Sequence, residues 1–186
     1  MSEFLEVPHD RYALIADVVR RFDDAHYRLG KTALQKIVFL LQRSLWVDIG
    51  YRYTLYTYGP FCADVARDLD AVEAFGGARI SNDTGFGGYQ IHAGPTNDEI
   101  RGQSSEFLQK ISGALDRLVA DFGGLNAKEL ELRSTLLYLM GPELSREELV
   151  QQVHDVKPHF SSAVIRAALQ ELEGKTYADT ATRSAT

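Results

Sequence analysis

The sequence has little cysteine and no long apolar run. Cys62 is the single cysteine among 186 residues, which excludes an internal disulfide, whereas small secreted domains usually carry several paired cysteines. No apolar run approaches the roughly 18 residues of a membrane-spanning helix. The N-terminus has acidic residues where a signal peptide needs basic ones. We therefore expect a cytoplasmic protein with no membrane partner.

Metal ligands are also scarce. The chain has five histidines, and only His154 and His159 are close in sequence, with Pro158 between them. A zinc site needs clustered cysteine or histidine ligands, and a proline between the two histidines disfavours a shared helical face. The sequence therefore predicts no metal site and no cofactor.

An excess of positive charge is missing as well. The net charge is −6, and residues 1–96 carry 10 basic and 12 acidic side chains against 10 and 14 in residues 97–186. Neither half has a field that would attract phosphate backbones from a distance. Nucleic-acid binding is disfavoured on this ground, although a local basic patch would still permit it.

What the sequence does contain is typical of a folded, mainly helical chain. Hydrophobic residues make up 45% and charged residues 25%, the usual globular balance. Apolar residues recur at helical spacing in several segments. This spacing predicts five helices: one that starts near Asp10, one from Lys31 to Trp46, one from Asn126 to about Met140, one from a Ser145 cap to about Val156, and one after a cap at Ser161 or Ser162.

The remaining segments predict strands, turns and two further helices. Alternation of aromatic and polar residues favours a strand over Tyr51–Tyr58, and Gly59-Pro60 then predicts the start of a helix that runs to about Phe75. Residues 78–81 and 89–92 predict a β-hairpin with its tip at Asn82–Gly88. A long helix is predicted from Thr96 to Phe122. The fold class is therefore α+β, mainly α.

The order of these elements suggests a domain organisation. Helix, helix, strand, helix and hairpin follow one another in residues 1–95, which resembles a winged-helix arrangement with a small antiparallel sheet. We expect residues 96–176 to form a helical C-terminal part packed on it. Residues 177–186 are expected to be a flexible tail, because they lack the apolar surface that offsets ordering entropy.

A winged helix usually places the helix before the hairpin in a DNA groove. Here that helix, Phe61–Phe75, has a net charge of −3, so its exposed side would be repelled by phosphates. Its charged residues are Asp64, Arg67, Asp68, Asp70 and Glu73. A winged-helix shape used for protein contact is the favoured interpretation, and a DNA-binding transcriptional regulator using Arg20, Arg21, Arg28 and Lys31 is an alternative.

Cys62 supplies a second alternative. It lies near a predicted helix N-terminus, a position that lowers a thiol pKa and favours nucleophilic catalysis. Free cysteine is more often a small buried hydrophobe, and no histidine lies in a motif that pairs with Cys62. An enzyme that uses Cys62 as nucleophile is therefore kept only as an alternative.

Several segments resemble known bacterial families. LQKIVFLLQ (Leu34–Gln42) and TLYTYGPFCADVARDLD (Thr54–Asp70) resemble the Panacea, or SocA-like antitoxin, domain and the related YwgA-like family of uncharacterised bacterial proteins. ELELRSTLLYLM (Glu129–Met140) and VKPHFSSAVIRAALQEL (Val156–Leu172) are similar to YwgA-like proteins. The resemblance implies neutralisation of diverse toxins by protein contact, and it implies no catalytic set.

The residues that match the shared motif define the predicted site. Lys36 falls between apolar neighbours on a helix that is predicted to be buried, so it should either extend to solvent or meet a carboxylate. The tyrosines of residues 51–58 offer an aromatic contact surface, while their alternation also predicts that one face lines the core. The predicted partner-binding residues are Gln35, Lys36, Tyr56, Tyr58, Gly59 and Pro60.

The sequence thus predicts a non-enzymatic regulatory or protein-interaction module of bacterial type, antitoxin-like or associated with defence. Its expected partner is a protein, such as a toxin or a defence component. The long helix from Thr96 is the expected element of a homodimer.

Overall fold

The computed structural model describes residues 8–83 and 88–175, without the side chain of Asp83. Within these ranges, helices predominate and the strands form two small antiparallel sheets, so the predicted α+β, mainly α class is confirmed. The elements are α1 (His9–Asp24), α2 (Lys31–Ser44), β1 (Thr54–Tyr56), β2 (Gly59–Phe61), α3 (Ala63–Ala74), β3 (Ala78–Asp83), β4 (Gly88–Ala93), α4 (Asn97–Gly102), α5 (Ser105–Phe122), α6 (Ala127–Leu139), α7 (Arg146–Val156) and α8 (Ser162–Gly174).

The described residues divide into two compact units, each built from separate stretches of the chain. The first unit contains α1, α3, β3, β4, α4 and α5, together with Ile49–Tyr51. The second contains α2 from Thr32 onward, β1, β2, α6, α7 and α8. The linear division into residues 1–95 and 96–176 stays a prediction, as does the comparison with a winged helix. The predicted tail, residues 177–186, lies outside the described residues.

In the first unit, α1 packs against α3, α4, α5 and β4. Its apolar stripe is fully buried, and it also buries Asp17, which is 1% exposed and accepts hydrogen bonds from Arg21 and Arg101. Asn97 secures the start of α4, because its Nδ2 donates to Ala16 O at 3.0 Å and to Gly77 O at 2.8 Å. The buried polar groups of this unit therefore support its packing.

Helix α3 presents fewer charges to solvent than its sequence predicts. Asp68 is 5% exposed, and its Oδ2 accepts hydrogen bonds from Arg11 Nε and Tyr51 Oη, both at 2.7 Å. The assignment of Asp68 to the exposed side of this helix was therefore wrong. Asp70 and Arg67 are exposed, while Asp64 and Glu73 are half-buried. The charge that α3 presents to solvent therefore stays acidic but is smaller than predicted.

In the second unit, α6 packs against β2, α7 and α8. It buries side chains around its whole circumference, from Leu130 to Leu137. The predicted caps are present: Asn126 and Ser145 each form a capping box with the glutamate three residues on, and Ser161 caps α8. These caps confirm the predicted starts of α6, α7 and α8.

The predicted strand over Tyr51–Tyr58 and the helix from Pro60 were both wrong in extent. Only Thr54–Tyr56 forms β1, and Gly59–Phe61 forms a second strand that pairs with it, so α3 begins at Ala63. Pro60 is tolerated in β2 because each strand of a two-stranded sheet is an edge, where a missing N–H is not a lost ladder bond.

The long helix predicted from Thr96 was also wrong, because it is two helices. Helix α4 ends at Gly102 and α5 begins at Ser105. Gly102 lowers helix propensity, and Ser104 adopts a non-helical backbone with φ −134° and ψ 42°. The β3–β4 hairpin is confirmed with Ile80 opposite Ile91, and part of its predicted tip lies outside the described residues.

Candidate functional site: an anchored hairpin tip

The turn between β1 and β2 collects most of the predicted site residues. We call residues 56–60, Tyr56-Thr57-Tyr58-Gly59-Pro60, the hairpin tip. Tyr56 pairs with Gly59 across the two strands, which leaves Thr57 and Tyr58 as the connecting residues. All of these residues belong to the second unit.

Gly59 is required at this turn for two reasons. Its φ of +88° lies in the left-handed region, which side chains rarely adopt. A Cβ at this position would also lie 3.3 Å from Ser134 Oγ and 3.3 Å from Thr135 Oγ1. Both hydroxyls are fixed, because each donates to Glu131 O, at 3.0 and 2.7 Å. The turn therefore packs closely on α6 through a position that only glycine fills without strain.

Two buried lysines hold the hairpin tip by its backbone. Lys36 of α2 is 2% exposed, and its Nζ donates to Pro60 O at 2.8 Å. Lys157, at the end of α7, is also 2% exposed, and its Nζ donates to Tyr56 O at 3.3 Å and to Thr57 O. The carbonyls on both sides of the turn are thus bound by ammonium groups, which are stronger donors than neutral groups.

Glu131 of α6 supplies a carboxylate to these lysines. Its Oε1 lies 2.8 Å from Lys157 Nζ and 3.7 Å from His159 Nε2, and its side chain is 7% exposed. Glu131 also interacts electrostatically with Lys36. We call Lys36, Glu131 and Lys157 the anchor cluster. It contains two potential cations and one anion.

Burial lowers the pKa of the Lys36 ammonium to about 8. Loss of solvation is the main cause; the charge of Glu131 opposes it and the charge of Lys157 adds to it. The alternatives for Lys36 were extension to solvent or a meeting with a carboxylate. Lys36 is buried, binds a backbone carbonyl directly and feels the carboxylate of Glu131.

The lowered pKa of Lys36 predicts an unusual pH dependence. Between about pH 8 and the unperturbed value of 10.5, the unfolded chain binds more protons at Lys36 than the folded chain does. Stability from this group therefore rises with pH in that window, by about 2–3 kcal/mol. Unfolding of wild type and Lys36→Met, measured at about pH 7.5 and pH 9.5, checks this. The rise should be absent in Lys36→Met, and an equal pH dependence in both proteins would refute the assignment.

Gln35 and Cys62 form a second backbone anchor beside the tip. Gln35 Nε2 donates to Cys62 O at 3.0 Å, and Cys62 N donates to Gln35 Oε1 at 3.0 Å. This pair of bonds ties α2 to the residue that follows β2. Cys62 itself is 3% exposed, so the setting is that of a buried structural thiol.

The burial of Cys62 predicts slow thiol chemistry. Native protein should react with an aromatic disulfide reagent at least about 100-fold more slowly than urea-unfolded protein, because the thiol is reached only after opening. Colorimetric thiol titration in both states measures this ratio. A native rate close to the unfolded rate would restore the interpretation of Cys62 as an accessible nucleophile.

Tyr56 and Tyr58 point away from the anchor cluster. They are 63% and 67% exposed, and the Tyr56 ring lies 5.5 Å from that of Phe61, centroid to centroid. Tyr51, by contrast, is 2% exposed and belongs to the core of the first unit. The tyrosine-rich segment therefore offers an exposed aromatic surface at Tyr56 and Tyr58, and it lines the core at Tyr51.

Sequence reasoning missed Glu131, Ser134, Thr135 and Lys157. Their residue types predict that Glu131 and Lys157 are exposed surface charges, since lysine and glutamate are rarely buried. The only signal was the density of leucines around Glu131, at positions 130, 132, 136 and 137, which indicates a helix buried on several sides. The partners of such a residue come from elements distant in sequence, and spacing does not reveal them.

The other candidate ligands do not come together. His154 Nδ1 contacts Phe160 O at 2.9 Å, while His159 lies near Glu131. Within residues 8–83 and 88–175, no group of three or more histidine, cysteine, aspartate or glutamate side chains is placed to hold a metal ion. In the same part of the chain, no helix is long and apolar enough to cross a membrane.

Comparison with known proteins adds no family. No protein-family model matches the chain, and no curated protein matches it in sequence. The resemblance to the Panacea and YwgA-like families therefore stays a prediction.

Proposed function

We propose that this protein is a non-enzymatic protein-interaction module that binds a partner protein through the hairpin tip. The single observation that carries this proposal is the pair of exposed tyrosines, Tyr56 and Tyr58, on a turn whose backbone is bound by two buried lysines. The proposal includes a cytoplasmic location and an antitoxin-like or defence-associated role, as the family resemblance implies.

Exposed tyrosines suit protein recognition. Tyrosine gives a large contact area and a polar end with only two side-chain torsions to restrain, and it is enriched among residues that dominate binding energy. Tyr56 and Tyr58 lie two residues apart in the hairpin tip, and both rings are accessible to a partner.

The anchor cluster favours binding over catalysis. Lys36 and Lys157 use their protons on the carbonyls of Pro60, Tyr56 and Thr57, and both lysines are buried. Their role in this arrangement is to fix the turn. A turn fixed before binding loses less conformational entropy in the complex, and that raises affinity.

Affinity capture from the host tests this function. The baits are wild type, the double variant Tyr56→Ala/Tyr58→Ala, and Tyr89→Ala as the matched control. Tyr89 is 54% exposed on the other hairpin, in the first unit. Each capture is carried out with and without nuclease, so that association through nucleic acid is recognised by its loss.

The expected result is a protein retained by wild type and by Tyr89→Ala, with recovery at least about tenfold lower for the double variant. The double variant should keep the wild-type unfolding midpoint, since both side chains are exposed. Equal recovery by all three baits would contradict the proposal. Loss of every association after nuclease treatment would favour the DNA-binding alternative instead.

A further inference from the structure

The two units differ in charge. Within residues 8–83 and 88–175, the second unit contains 9 lysines and arginines and 9 aspartates and glutamates, so this part is formally neutral. Within the same described residues, the first unit contains 10 basic and 14 acidic residues, and therefore a formal charge of −4. The hairpin tip thus belongs to the unit that has no formal excess of negative charge.

Positive charge is in excess directly beneath the tip. Lys36 and Lys157 both bind the tip's carbonyls, and Glu131 alone opposes them within the anchor cluster. When Lys36 is protonated, the cluster has a formal charge of +1. Because these groups are buried, water screens them poorly, and their field extends to the surface more strongly than that of exposed charges.

The nearby groups change this balance little. His159 lies 3.7 Å from Glu131 Oε1 and adds positive charge when it is protonated. Asp155, two residues before Lys157, is exposed and accepts a hydrogen bond from Gln151 at 2.7 Å. An exposed carboxylate is solvated and screened within about 8 Å at physiological salt, so it offsets the buried charge only in part.

We propose that the partner segment docked on the hairpin tip is acidic, with carboxylates beside the rings of Tyr56 and Tyr58. This inference rests on the proposed function. The tyrosine hydroxyls donate hydrogen bonds to such carboxylates, and the excess positive charge of the anchor cluster attracts them. The same positive charge would repel a basic segment, so the anchor cluster also discriminates between acidic and basic partners.

An NMR titration of the full chain tests the sign of this preference. The probes are acetylated hexaglutamate, hexaglutamine and hexalysine, with a short duplex DNA as a second anion. The backbone amides of Thr57 and Tyr58 report on the tip, and the amide of Tyr89 reports on the control hairpin. Near pH 7, hexaglutamate should bind at the tip at least about threefold more tightly than hexaglutamine, a ratio typical of a single charge contact, and salt should weaken it.

Deprotonation of Lys36 supplies a control that needs no variant. The pKa of Lys36 is about 8, so hexaglutamate should bind about threefold more weakly near pH 9 than near pH 7. Lys36 faces Glu131, Lys157 and the Pro60 carbonyl. In Lys36→Met the pH effect should disappear.

The remaining outcomes overturn the inference. Equal binding of hexaglutamate and hexaglutamine, or tighter binding of hexalysine, would remove the acidic partner while leaving the tip as the contact surface in affinity capture. If duplex DNA shifted the amide resonances of the tip more strongly than hexaglutamate did, the positive charge would serve nucleic-acid binding and not an acidic protein segment. Failure of the proposed function appears separately, as capture that does not depend on Tyr56 and Tyr58.

Discussion

Replacement of Gly59 with alanine is expected to destabilise the second unit by about 2 kcal/mol, because a left-handed backbone costs a non-glycine residue about 1–2 kcal/mol and the added Cβ adds crowding. That Cβ would meet Ser134 Oγ, Thr135 Oγ1 and Lys36 Cε at 3.3–3.4 Å. Trp46 is the only tryptophan and lies in the second unit. Urea unfolding followed by its fluorescence therefore reports on the affected unit.

Gly141→Ala is the matched control for this measurement. Gly141 also belongs to the second unit, and a Cβ there would have no neighbour within 4 Å. Its replacement should change stability by no more than about 0.5 kcal/mol. If Gly59→Ala were as stable as Gly141→Ala, the turn would not need the observed backbone conformation, and the fixed hairpin tip would be wrong.

Removal of the Glu131 carboxylate should have the largest effect of any single change at the site. Glu131→Ala leaves the buried Lys157 ammonium, and Lys36 when it is protonated, without a counter-charge, and breaking a buried ion pair in this way costs about 3–5 kcal/mol. The exposed Glu143, in the same unit, is the control, and Glu143→Ala should be within about 0.5 kcal/mol of wild type. Urea unfolding at about pH 7 measures both.

A second substitution separates charge from packing in this experiment. In the double variant Glu131→Ala/Lys157→Met, the uncompensated ammonium of Lys157 is gone, so the double variant should be more stable than Glu131→Ala alone. Strict addition of the two single effects would mean that Glu131 and Lys157 do not interact in the folded protein. The pairing at 2.8 Å would then carry no energy.

Local signals predicted the elements whose ends are defined by their own residues. Asn126 as a cap, and Ser145 with Glu148 as a capping box, gave the starts of α6 and α7, since both signals depend on residues close in sequence. The glycine-rich and asparagine-containing stretch after residue 81 gave the β3–β4 hairpin for a similar reason. These elements need no information from distant parts of the chain.

The errors concern segments that depend on distant contacts. Gly59-Pro60 has the composition of a helix start, but the carbonyls of this turn are bound by Lys36 and Lys157, and Gly59 packs on Ser134 and Thr135 of α6. Tertiary contacts therefore place these residues in β2. The break between α4 and α5 has only a weak local signal. Gly102 and Ser104 weaken the helix, but they do not form a turn motif that predicts where α4 ends.

The site was predicted in part for the same physical reason. The turn residues and Lys36 stood out because glycine, proline and a lysine on an apolar helix are unusual where they occur. Glu131 and Lys157 did not stand out, because they are unusual only in being buried and in forming an ion pair with each other. The two residues are 26 positions apart in sequence, so local spacing does not reveal the pair. The prediction that Asp68 lies on the exposed acidic side of α3 was wrong for the same reason. Its partners, Arg11 and Tyr51, come from other segments of the chain.

Photo-crosslinking in the host cell tests the role of the hairpin tip most directly. A benzophenone side chain in place of Tyr58 is compared with the same group in place of Gln152, an exposed residue of α7 in the second unit. We predict a discrete, nuclease-resistant crosslink to a protein from position 58 and none from position 152. Equal crosslinking from both positions, or crosslinks from position 58 to nucleic acid only, would contradict a protein-binding surface at the tip.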